Sequence, residues 1–352
     1  MKIVFKSTHI NIKLTVTILA VIIILILPVI MGAFTSKGHG RATVKEDISF
    51  HLENSSIKLE NISINDVSVK LYLTKEKKVI DLNLDDYVKG VVAGEMPIKF
   101  EEETLKAQAV AARTYVIAHM KKFGGEGCTY NEEADVSDST DYQVYKSKSD
   151  MFKEWSEKDR EAYWSKISAA VDETKNEVLT YDGQLVTSPM YFAVSSGRTE
   201  DAKAVFGEDK PYLKSVDSLG EEEAPKYKTD TTIKNSEVAY KINSSFPKAN
   251  LKESNINKQI KILESNDTKS ISKIMVGKTT ISGPQFRFAL GLNSTNISFK
   301  FNKDSITFTC IGNGHGVGMS QWGANIMAKN GHNYIDILTH YYNGTKIDKI
   351  KQ

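Results

Sequence analysis

The chain carries Ala93-Gly94-Glu95-Met96-Pro97 shortly before an alanine-rich run at residues 104–120. Pro97 pushes Met96 towards an extended conformation, so the following helix cannot begin before the proline. The residues that lead up to Glu95 have a strand-like composition. The stretch therefore predicts a corner where strand-like sequence ends and a tightly packed helix begins, with one carboxylate held at that corner.

The run at residues 104–120 has the spacing of a core helix, because apolar side chains recur at steps of three and four. Its core-facing stripe is predicted to be Leu105, Ala109, Ala112, Val116 and Met120. The alanines keep the helix slim, so neighbouring elements can approach closely. Further helices are predicted at residues 158–174, 321–329 and 334–342, and strands at residues 67–73, 79–84, 178–186 (a hairpin), 190–194, 297–301 and 306–311.

The N-terminal region predicts a membrane anchor. Residues 14–34 are almost wholly apolar, close to the ~20 residues that cross a bilayer. Lys2, Lys6 and Lys13 precede them, which favours an N-terminus that stays inside. A cleaved signal peptide is the alternative, but the run is longer than a typical h-region and no clear Ala-x-Ala site follows. We therefore predict one uncleaved anchor, with the remaining chain facing outward.

The domain prediction follows from these segments. Residues 1–35 form a cytoplasmic stub and anchor, residues 36–65 a stalk, and residues 66–350 one α+β ectodomain built on the alanine-rich helix. Residues 218–270 are rich in Lys, Ser, Asn and Glu and are predicted to be a peripheral, variable subdomain. Beyond the three N-terminal lysines the chain is close to neutral, which gives no electrostatic case for nucleic-acid binding.

Glu95 is the first candidate for chemistry. A glycosidic oxygen leaves poorly until it is protonated, so cleavage needs an acid that keeps its proton near neutral pH. Burial beside Val91, Val92 and Met96 would raise the pKa of a glutamate in this way. The alternative interpretation is structural: Glu95 would abut the N-terminus of the following helix, where negative charge is favourable.

Two other stretches are candidates for substrate binding. Residues 191–201 place hydroxyls, small residues and carboxylates after a strand, where they could bind sugar hydroxyls and acetamido groups or form an ordinary turn. In the glycine-rich residues 312–323, the glycines permit close approach of a ligand, and the Lys-Ser/Thr of a phosphate-binding loop is missing. His315 there could bind substrate or orient a carboxylate, or be structural, and Ser320 could cap the next helix.

Other chemistries find little support in the sequence. His315, His332 and His340 lack the paired spacing of a zinc site, and no Gly-x-Ser-x-Gly nucleophile elbow occurs. We expect neither a metal nor an organic cofactor. The sequence leaves open whether Cys128 and Cys310 pair, and two unpaired, buried thiols are the preferred interpretation.

Taken in order, these motifs resemble the stage II sporulation protein D family, also described as an amidase-enhancer domain. The blocks that carry the resemblance are residues 87–97, 105–115, 141–145, 191–200 with 211–213, 282–287 and 314–324. Two positions depart from the family pattern. Asp141-Tyr142 stands where members often carry His-Cys, so a zinc site is not carried over, and Phe192-Ala193 stands where His-Ser is frequent.

The resemblance implies a lytic transglycosylase that cleaves peptidoglycan glycan strands during engulfment of a forespore. The family's catalytic glutamate falls on Glu95, which would act first as acid and then as base while the muramyl C6 hydroxyl attacks C1. The implied partners are glycan stripped of its stem peptides, a membrane-bound amidase of the sporulation protein P type (SpoIIP) and the multipass sporulation protein M (SpoIIM). The chain would then sit in the mother-cell membrane, facing the septal wall.

The predicted site places Glu95, the turn at residues 191–200 and the His315 loop at one cleft. The residues expected to bind or orient substrate are Gln108, Arg113, Tyr191, Ser195, Thr199, Glu200, His315 and Gln321. One rival is a non-catalytic wall-binding module that stimulates a partner amidase. Another is a muramidase that activates water with Glu200 or Asp201 as a second carboxylate.

Overall fold

The computed structural model describes residues 56–63 and 67–351. The helices in these ranges are α1 (Leu84–Glu95), α2 (Glu102–His119), α3 (Lys148–Glu154), α4 (Arg160–Glu173), α5 (Ala202–Phe206), α6 (Asn235–Ser245), α7 (Gly283–Leu290), α8 (Gln321–Lys329) and α9 (Tyr334–Tyr341). The strands are β1 (Ser68–Leu73), β2 (Lys78–Asn83), β3 (Val136–Ser137), β4 (Glu177–Tyr181), β5 (Gln184–Leu185), β6 (Tyr191–Phe192), β7 (Gly197–Arg198), β8 (Asp217–Ser218), β9 (Lys228–Lys234), β10 (Ile260–Ser265), β11 (Ile271–Val276), β12 (Thr279–Ser282), β13 (Asn296–Phe301), β14 (Ser305–Ile311), β15 (Met319–Ser320) and β16 (Lys346–Lys349).

The mixed content of helices and strands confirms the predicted α+β class. No helix within the described ranges has both the length and the apolar character needed to cross a bilayer. The predicted anchor at residues 14–34 lies outside the described residues. Of the predicted stalk, residues 56–63 are described, and there Ile57 and Ile62 are buried in the core while Lys58 bridges Gln184 at the end of β4–β5.

Helix α2 lies at the centre of the core, as its alanine content predicts. One face, with Leu105 and Ala109, packs in a cluster with α1, α4 and β1. The opposite face, with Ala107 and Ala111, packs in a second cluster with α8 and α9. The predicted stripe is buried at all five positions. Small side chains on two faces let both layers approach the same helix, so α2 joins the two clusters.

The prediction that strand-like sequence leads up to Glu95 is wrong, because those residues form helix α1. The Asn83 side chain accepts a hydrogen bond from the Asp85 N–H and caps the helix. Buried side chains recur at helical spacing, as at Leu84, Val88 and Val91, so packing against α2 overrides the strand preference of the valines. The alternative that Glu95 abuts the N-terminus of the next helix is also wrong, since Glu95 ends α1.

Several other sequence predictions can be compared directly. The Asp182-Gly183 turn has φ of 49° and 74° and joins β4 to β5 as predicted for a tight hairpin. Both cysteines are buried and unpaired, which confirms the preferred interpretation. In α4, which lies within the helix predicted at residues 158–174, Ala162 is exposed and the buried residues Ile167, Ala170 and Val171 all lie in the second half.

Small sheets frame the two clusters. β1 pairs with β2 antiparallel and with β3 parallel, and β4 lies between β16 and β5. Residues 228–311 form a lobe in which β14 pairs with β13 and β9 and β10–β11–β12 form a meander. This lobe continues well beyond Ser270, where the peripheral subdomain was expected to end.

Candidate active site

Glu95 is the last residue of α1, and its side chain is partly exposed. The Val144 N–H donates a hydrogen bond to Glu95 Oε1 over 2.8 Å. The chain turns directly afterwards, because Met96 is extended (φ −110°, ψ 133°) in front of Pro97. The carboxyl is therefore held at a corner, as predicted, although a helix and not a strand leads to it.

Two glycines on one face of α1 allow the segment at residues 143–146 to reach Glu95. A Cβ atom on Gly94 would lie 2.6 Å from the Val144 carbonyl oxygen, and one on Gly90 would overlap the Tyr145 ring. Because glycine has no side chain, the segment at residues 143–146 packs directly on the backbone of α1. This close packing brings the Val144 N–H within reach of the carboxyl.

Burial raises the pKa of the Glu95 carboxyl, and the neighbouring donor groups of Val144, Tyr191 and Gln321 lower it without cancelling the rise. The position of Glu95 at the C-terminal end of α1 acts in the same direction as burial, because negative charge is disfavoured there. The acid therefore keeps its proton to a higher pH than a water-exposed glutamate does, as general acid catalysis requires.

Tyr191 is one of the predicted residues that the structure brings to Glu95. Its hydroxyl lies close enough to the carboxyl to lower the pKa of Glu95, as a donor does, and it accepts a hydrogen bond from Gln143 Nε2 over 3.1 Å. Gln143 Oε1 accepts in turn from the Tyr87 hydroxyl over 3.1 Å. The Tyr87 and Gln143 side chains are fully buried, so a chain of hydrogen bonds runs from inside the core to the tyrosine beside the acid.

Gln321 is the second predicted residue that reaches Glu95. It is the first residue of α8, which Ser320 caps as predicted by accepting the Gly323 N–H over 3.3 Å. Gln321 Nε2 is buried and has no hydrogen-bond partner of normal geometry among the described residues. Its contact with the carboxyl is therefore longer than a normal hydrogen bond, and Nε2 is an unused donor beside the acid.

Strand pairing holds the turn at residues 191–200 against the glycine-rich loop. β6 and β15 are parallel, with Tyr191 opposite Met319. Val194 bridges Asn313, and Glu200 bridges Val317. The turn at residues 191–200 and the glycine-rich loop thus lie side by side. Tyr191, at the start of the turn, and Gln321, near the end of the loop, both reach Glu95.

His315 lies between the rings of Phe192 and Phe206, with centroid distances of 5.7 and 5.6 Å. Its Nδ1 accepts the Val317 N–H over 3.1 Å, and it also hydrogen-bonds the backbone of Tyr191. Burial lowers the pKa of His315 to about 3, so the ring is neutral. His315 supports the strand that carries Tyr191, and a contact with substrate stays a prediction.

Glu200 is buried and fully engaged within the protein. Its carboxylate accepts hydrogen bonds from Asn266 Nδ2, from the Thr268 hydroxyl and from Ser270 Oγ. Its N–H donates to the Gly316 carbonyl over 2.7 Å. Glu200 therefore joins the lobe at residues 228–311 to the glycine-rich loop, and its predicted role in binding substrate remains untested.

Ser195 and Thr199 are also buried and bonded to the protein. Ser195 Oγ accepts the Gly197 N–H over 3.2 Å, and Thr199 Oγ1 accepts the Val216 N–H over 2.9 Å. Both hydroxyls shape the turn that follows β6. Their assignment as substrate ligands stays a prediction.

Arg113 and Gln108 lie in the core of α2. The Arg113 guanidinium donates to the carbonyls of Glu177 and Val171 over 3.2 Å each and pairs with Asp85 at 3.5 Å. These contacts tie α2 to α1, α4 and β4, which accounts for the arginine without a ligand. Gln108 is fully buried, and neither of its amide atoms has a hydrogen-bond partner in the described part of the chain.

Sequence analysis missed Glu221, a buried carboxyl behind the site. Its Oε2 accepts hydrogen bonds from the Ser195 N–H over 2.8 Å and from Ser320 Oγ over 2.7 Å, and Oε1 accepts from Ser218 Oγ over 2.6 Å. Burial raises the pKa of Glu221 to about 7. Glu221 stands first in a run of three glutamates, a pattern typical of an exposed surface, so no local signal marks it.

Tyr87, Gln143 and Val144 were also not singled out as site residues. Gln143 and Val144 belong to a block noted only for its family resemblance. The spacing of Gly90 and Gly94, one helical turn apart, was the available signal, because it indicates close approach of another segment to α1. It was overlooked because α1 was taken for a strand.

The residues at the Asp141-Tyr142 departure do not fit a metal. The Tyr130 hydroxyl donates to the Asp141 carboxylate, and Tyr142 Oη accepts the Thr129 N–H over 2.7 Å. Within the described ranges no group of three or more His, Cys, Asp and Glu side chains could hold an ion. Hydrogen bonds from and to the preceding loop thus hold Asp141 and Tyr142 in place.

The two clefts described on the surface do not include Glu95. One, of about 420 Å³, is lined by residues that include Lys58, Asp182 and Lys349. A much smaller one is lined by residues that include Glu200 and His315. The single cleft predicted to hold both Glu95 and the His315 loop is therefore neither of these, and the acid lies where α1, β6 and the start of α8 meet.

These features define an α+β protein in which a partly exposed acidic group of raised pKa is faced by a tyrosine and an amide. Residues 72–181, which include Glu95 and Val144, match the family model described as stage II sporulation protein. The chain is 35% identical over 337 residues to stage II sporulation protein D of Bacillus subtilis (strain 168), covering 96% of this chain and 95% of the relative. The chain belongs to the stage II sporulation protein D family.

Two other relatives extend this comparison. The chain is 36% identical over 283 residues to stage II sporulation protein D of Bacillus amyloliquefaciens, covering 80% of this chain and 79% of the relative. It is 30% identical over 311 residues to a Bacillus subtilis (strain 168) protein named amidase enhancer, covering 74% of this chain and 40% of that protein.

Proposed function

We propose that this protein is a lytic transglycosylase that cleaves peptidoglycan glycan strands between N-acetylmuramic acid and N-acetylglucosamine during sporulation engulfment. The observation that carries the proposal is the Glu95 carboxyl: it is partly exposed, its pKa is raised by burial, and donors from Val144, Tyr191 and Gln321 surround it. Such a group can give up a proton near neutral pH and is then stabilised as a carboxylate.

The surroundings of the neighbouring carboxylates favour an internal nucleophile over water. A hydrolytic glycosidase needs a second positioned carboxylate. Glu200 accepts three hydrogen bonds from the lobe. Asp201 caps α5 and pairs with Lys214 at 3.5 Å. The muramyl C6 hydroxyl is already tethered to the reacting sugar, so a single acid/base can suffice.

The reaction would proceed in two proton transfers. Because the Val144 N–H occupies Glu95 Oε1, the acid proton is carried by Oε2. Glu95 gives it to the glycosidic oxygen as the bond from that oxygen to muramyl C1 breaks. The carboxylate then takes the proton of the C6 hydroxyl while O6 bonds to C1. A 1,6-anhydro end and a free N-acetylglucosamine hydroxyl result, and Glu95 is protonated again.

We also propose where and with what the protein acts. Residues 14–34 would anchor it in the mother-cell membrane, with the described residues outside the cytoplasm and facing the septal wall. Its substrate would be glycan already stripped of stem peptides by an amidase of the sporulation protein P type, with sporulation protein M as a further partner. Similarity to a relative named amidase enhancer supports a link to amidase action.

The test is mass spectrometry of products released from peptide-free glycan strands by the full-length chain. We expect 1,6-anhydromuramyl ends from the wild type and a loss of about a hundredfold or more in Glu95→Gln. Glu102→Gln, an exposed acid at the start of α2, is the matched control and should act like the wild type. Reducing ends in place of anhydro ends would instead identify a muramidase.

A non-catalytic module that stimulates an amidase is the second candidate, favoured by the relative named amidase enhancer. Adding wild type or Glu95→Gln to an amidase of the sporulation protein P type separates the two functions. Equal stimulation by both proteins, without release of anhydro ends by the wild type, would support the module and contradict the transglycosylase.

A further inference from the structure

A buried glutamine connects two tyrosines behind the acid. Gln143 is inaccessible to solvent, its Oε1 accepts from Tyr87 over 3.1 Å, and its Nε2 donates to Tyr191 Oη over 3.1 Å. The Tyr191 hydroxyl in turn lies beside the Glu95 carboxyl and lowers its pKa, as a donor does. Both Tyr87 and Gln143 are inaccessible to solvent, and their side chains connect to the acid through Tyr191.

The charge of Glu95 fixes the direction of these hydrogen bonds. A carboxylate only accepts, so Tyr191 must donate its single hydroxyl hydrogen to Glu95. The Tyr191 oxygen then presents only lone pairs to the core, so it needs a hydrogen-bond donor on that side. Gln143 Nε2 is that donor, provided that the amide oxygen of Gln143 faces the Tyr87 hydroxyl. A reversed amide would draw the Tyr191 hydrogen away from the acid.

The segment that carries Gln143 is fixed on α1. The Lys146 N–H donates to the Gly90 carbonyl over 3.1 Å, and the Val144 N–H donates to Glu95. Tyr87 itself belongs to α1 and stacks on Tyr145, with ring centroids 5.9 Å apart. Both partners of the Gln143 amide are thus held before substrate binds.

We propose that Gln143, oriented by Tyr87, is a positioning residue that keeps Tyr191 donating to Glu95. This inference rests on the proposed role of Glu95 as acid and base. The donated hydrogen bond stabilises the carboxylate that exists between the two proton transfers, and it limits the rise in the pKa of Glu95 that burial causes. Gln143 and Tyr87 act on the reaction without touching the substrate.

The test is the pKa of Glu95 in the full-length chain, read from the infrared carboxyl band in difference spectra against Glu95→Gln. Tyr191→Phe removes the donor and should raise this pKa. Gln143→Met keeps the length of the side chain but removes the oxygen and the nitrogen of the amide. It should raise the pKa of Glu95 by a smaller amount than Tyr191→Phe does. Combined with Tyr191→Phe, Gln143→Met should add nothing, because its effect passes through the Tyr191 hydroxyl.

An equal shift from Gln143→Met with and without the Tyr191 hydroxyl would overturn the proposal, as would no shift in either background. If Gln143→Met fails to fold, Tyr87→Phe alone and with Tyr191→Phe gives the same comparison. Tyr212→Phe, which removes another buried hydroxyl bonded to Thr187, is the matched control and should leave the pKa of Glu95 unchanged.

The same variants distinguish this inference from the proposed function. The infrared measurement needs no turnover, so the shifts can appear even if the wild type releases no anhydro ends, in which case only the proposed function fails. If the wild type is active, Gln143→Met should lower the rate by up to about a hundredfold and move its pH profile to higher pH. Loss of rate with an unmoved profile would mean that Gln143 is merely structural.

Discussion

Glu221 is a residue whose charge opposes folding at neutral pH. It is buried between Ser195, Ser218 and Ser320, and burial raises its pKa from 4.5 to about 7. Below pH 4.5 it is protonated in both the folded and the unfolded chain. As pH rises from there to about 7, the unfolded chain loses the proton first, so the free energy of unfolding falls.

We therefore expect Glu221→Gln to remove a pH dependence of stability. The pKa shift corresponds to about 3 kcal/mol in the free energy of unfolding. The wild type loses this stability as pH rises from 4.5 to about 7, whereas the variant keeps it. Urea unfolding of both proteins between pH 4 and 8 measures it. Parallel stability curves for the two proteins would contradict the assignment.

A related prediction concerns Glu95, whose burial should lower stability at high pH while it provides the acid of the proposed reaction. Its pKa is raised by burial, so its contribution to stability is fully present below the pKa of the unfolded chain and is lost as pH rises through the folded value. Glu95→Gln should thus be more stable than the wild type at pH 8 but not at pH 4. Thermal unfolding at both pH values tests this. A less stable variant at pH 8 would show that the carboxylate is well solvated.

At the scale of elements, α1 matters because its two glycines form the surface on which residues 143–146 lie. Glycine in a helix normally costs about 1 kcal/mol relative to alanine. At position 94 glycine is instead the more favourable residue, because a Cβ atom there would lie 2.6 Å from the Val144 carbonyl oxygen. The backbone that holds Glu95 would have to move.

Gly94→Ala should therefore destabilise the protein by about 1–3 kcal/mol, against the helix propensity of alanine. It should also reduce the proposed glycan cleavage, because the Val144 N–H moves away from Glu95. Urea unfolding and product release measure the two effects. Asp86→Ala, at an exposed position of the same helix, is the control and should change stability by less than about 0.5 kcal/mol. An unaltered or more stable Gly94→Ala would contradict the close packing.

The elements differ in how far the sequence could predict them. The predicted start of helix α2 lies two residues from the observed start. The prediction is this close because the helical spacing of the apolar side chains is the only periodic pattern in the alanine-rich run. α1 was taken for a strand because Val88, Val91 and Val92 favour strands locally, and only their packing against α2 decides between the two. The site depends on this choice, because Gly90 and Gly94 lie one turn, about 6 Å, apart in a helix but about 13 Å apart in a strand.

At the scale of the whole molecule, Glu200 attaches the lobe at residues 228–311 to the rest. Its partners Asn266, Thr268 and Ser270 precede β11, and its backbone bonds Gly316. Sequence patterns gave the lobe's last two strands, but not this contact. Contacts between residues so distant in sequence leave no periodic signal, so the sequence indicates Glu200 only as part of the turn at residues 191–201 and of the family block that contains it.

Glu200→Ala should release this attachment and cost about 3 kcal/mol, because three donors lose a charged acceptor. Amide hydrogen exchange should increase at residues 266–271 more than in α2. The control is Glu264→Ala, which removes only an exposed ion pair with Lys273 and should cost less than about 1 kcal/mol. Unchanged exchange at residues 266–271 would show that other contacts hold the lobe in place.

His315 is held between two phenyl rings, and its pKa of about 3 keeps it uncharged across the physiological range. Burial likewise lowers the pKa of His119 to about 4. An ionisation midpoint near pH 6.5 is ordinarily attributed to imidazole. Neither His315 nor His119 can supply such a midpoint. If the proposed cleavage shows one, carbodiimide, and not an imidazole-directed acylating reagent, is the chemical probe that should abolish it.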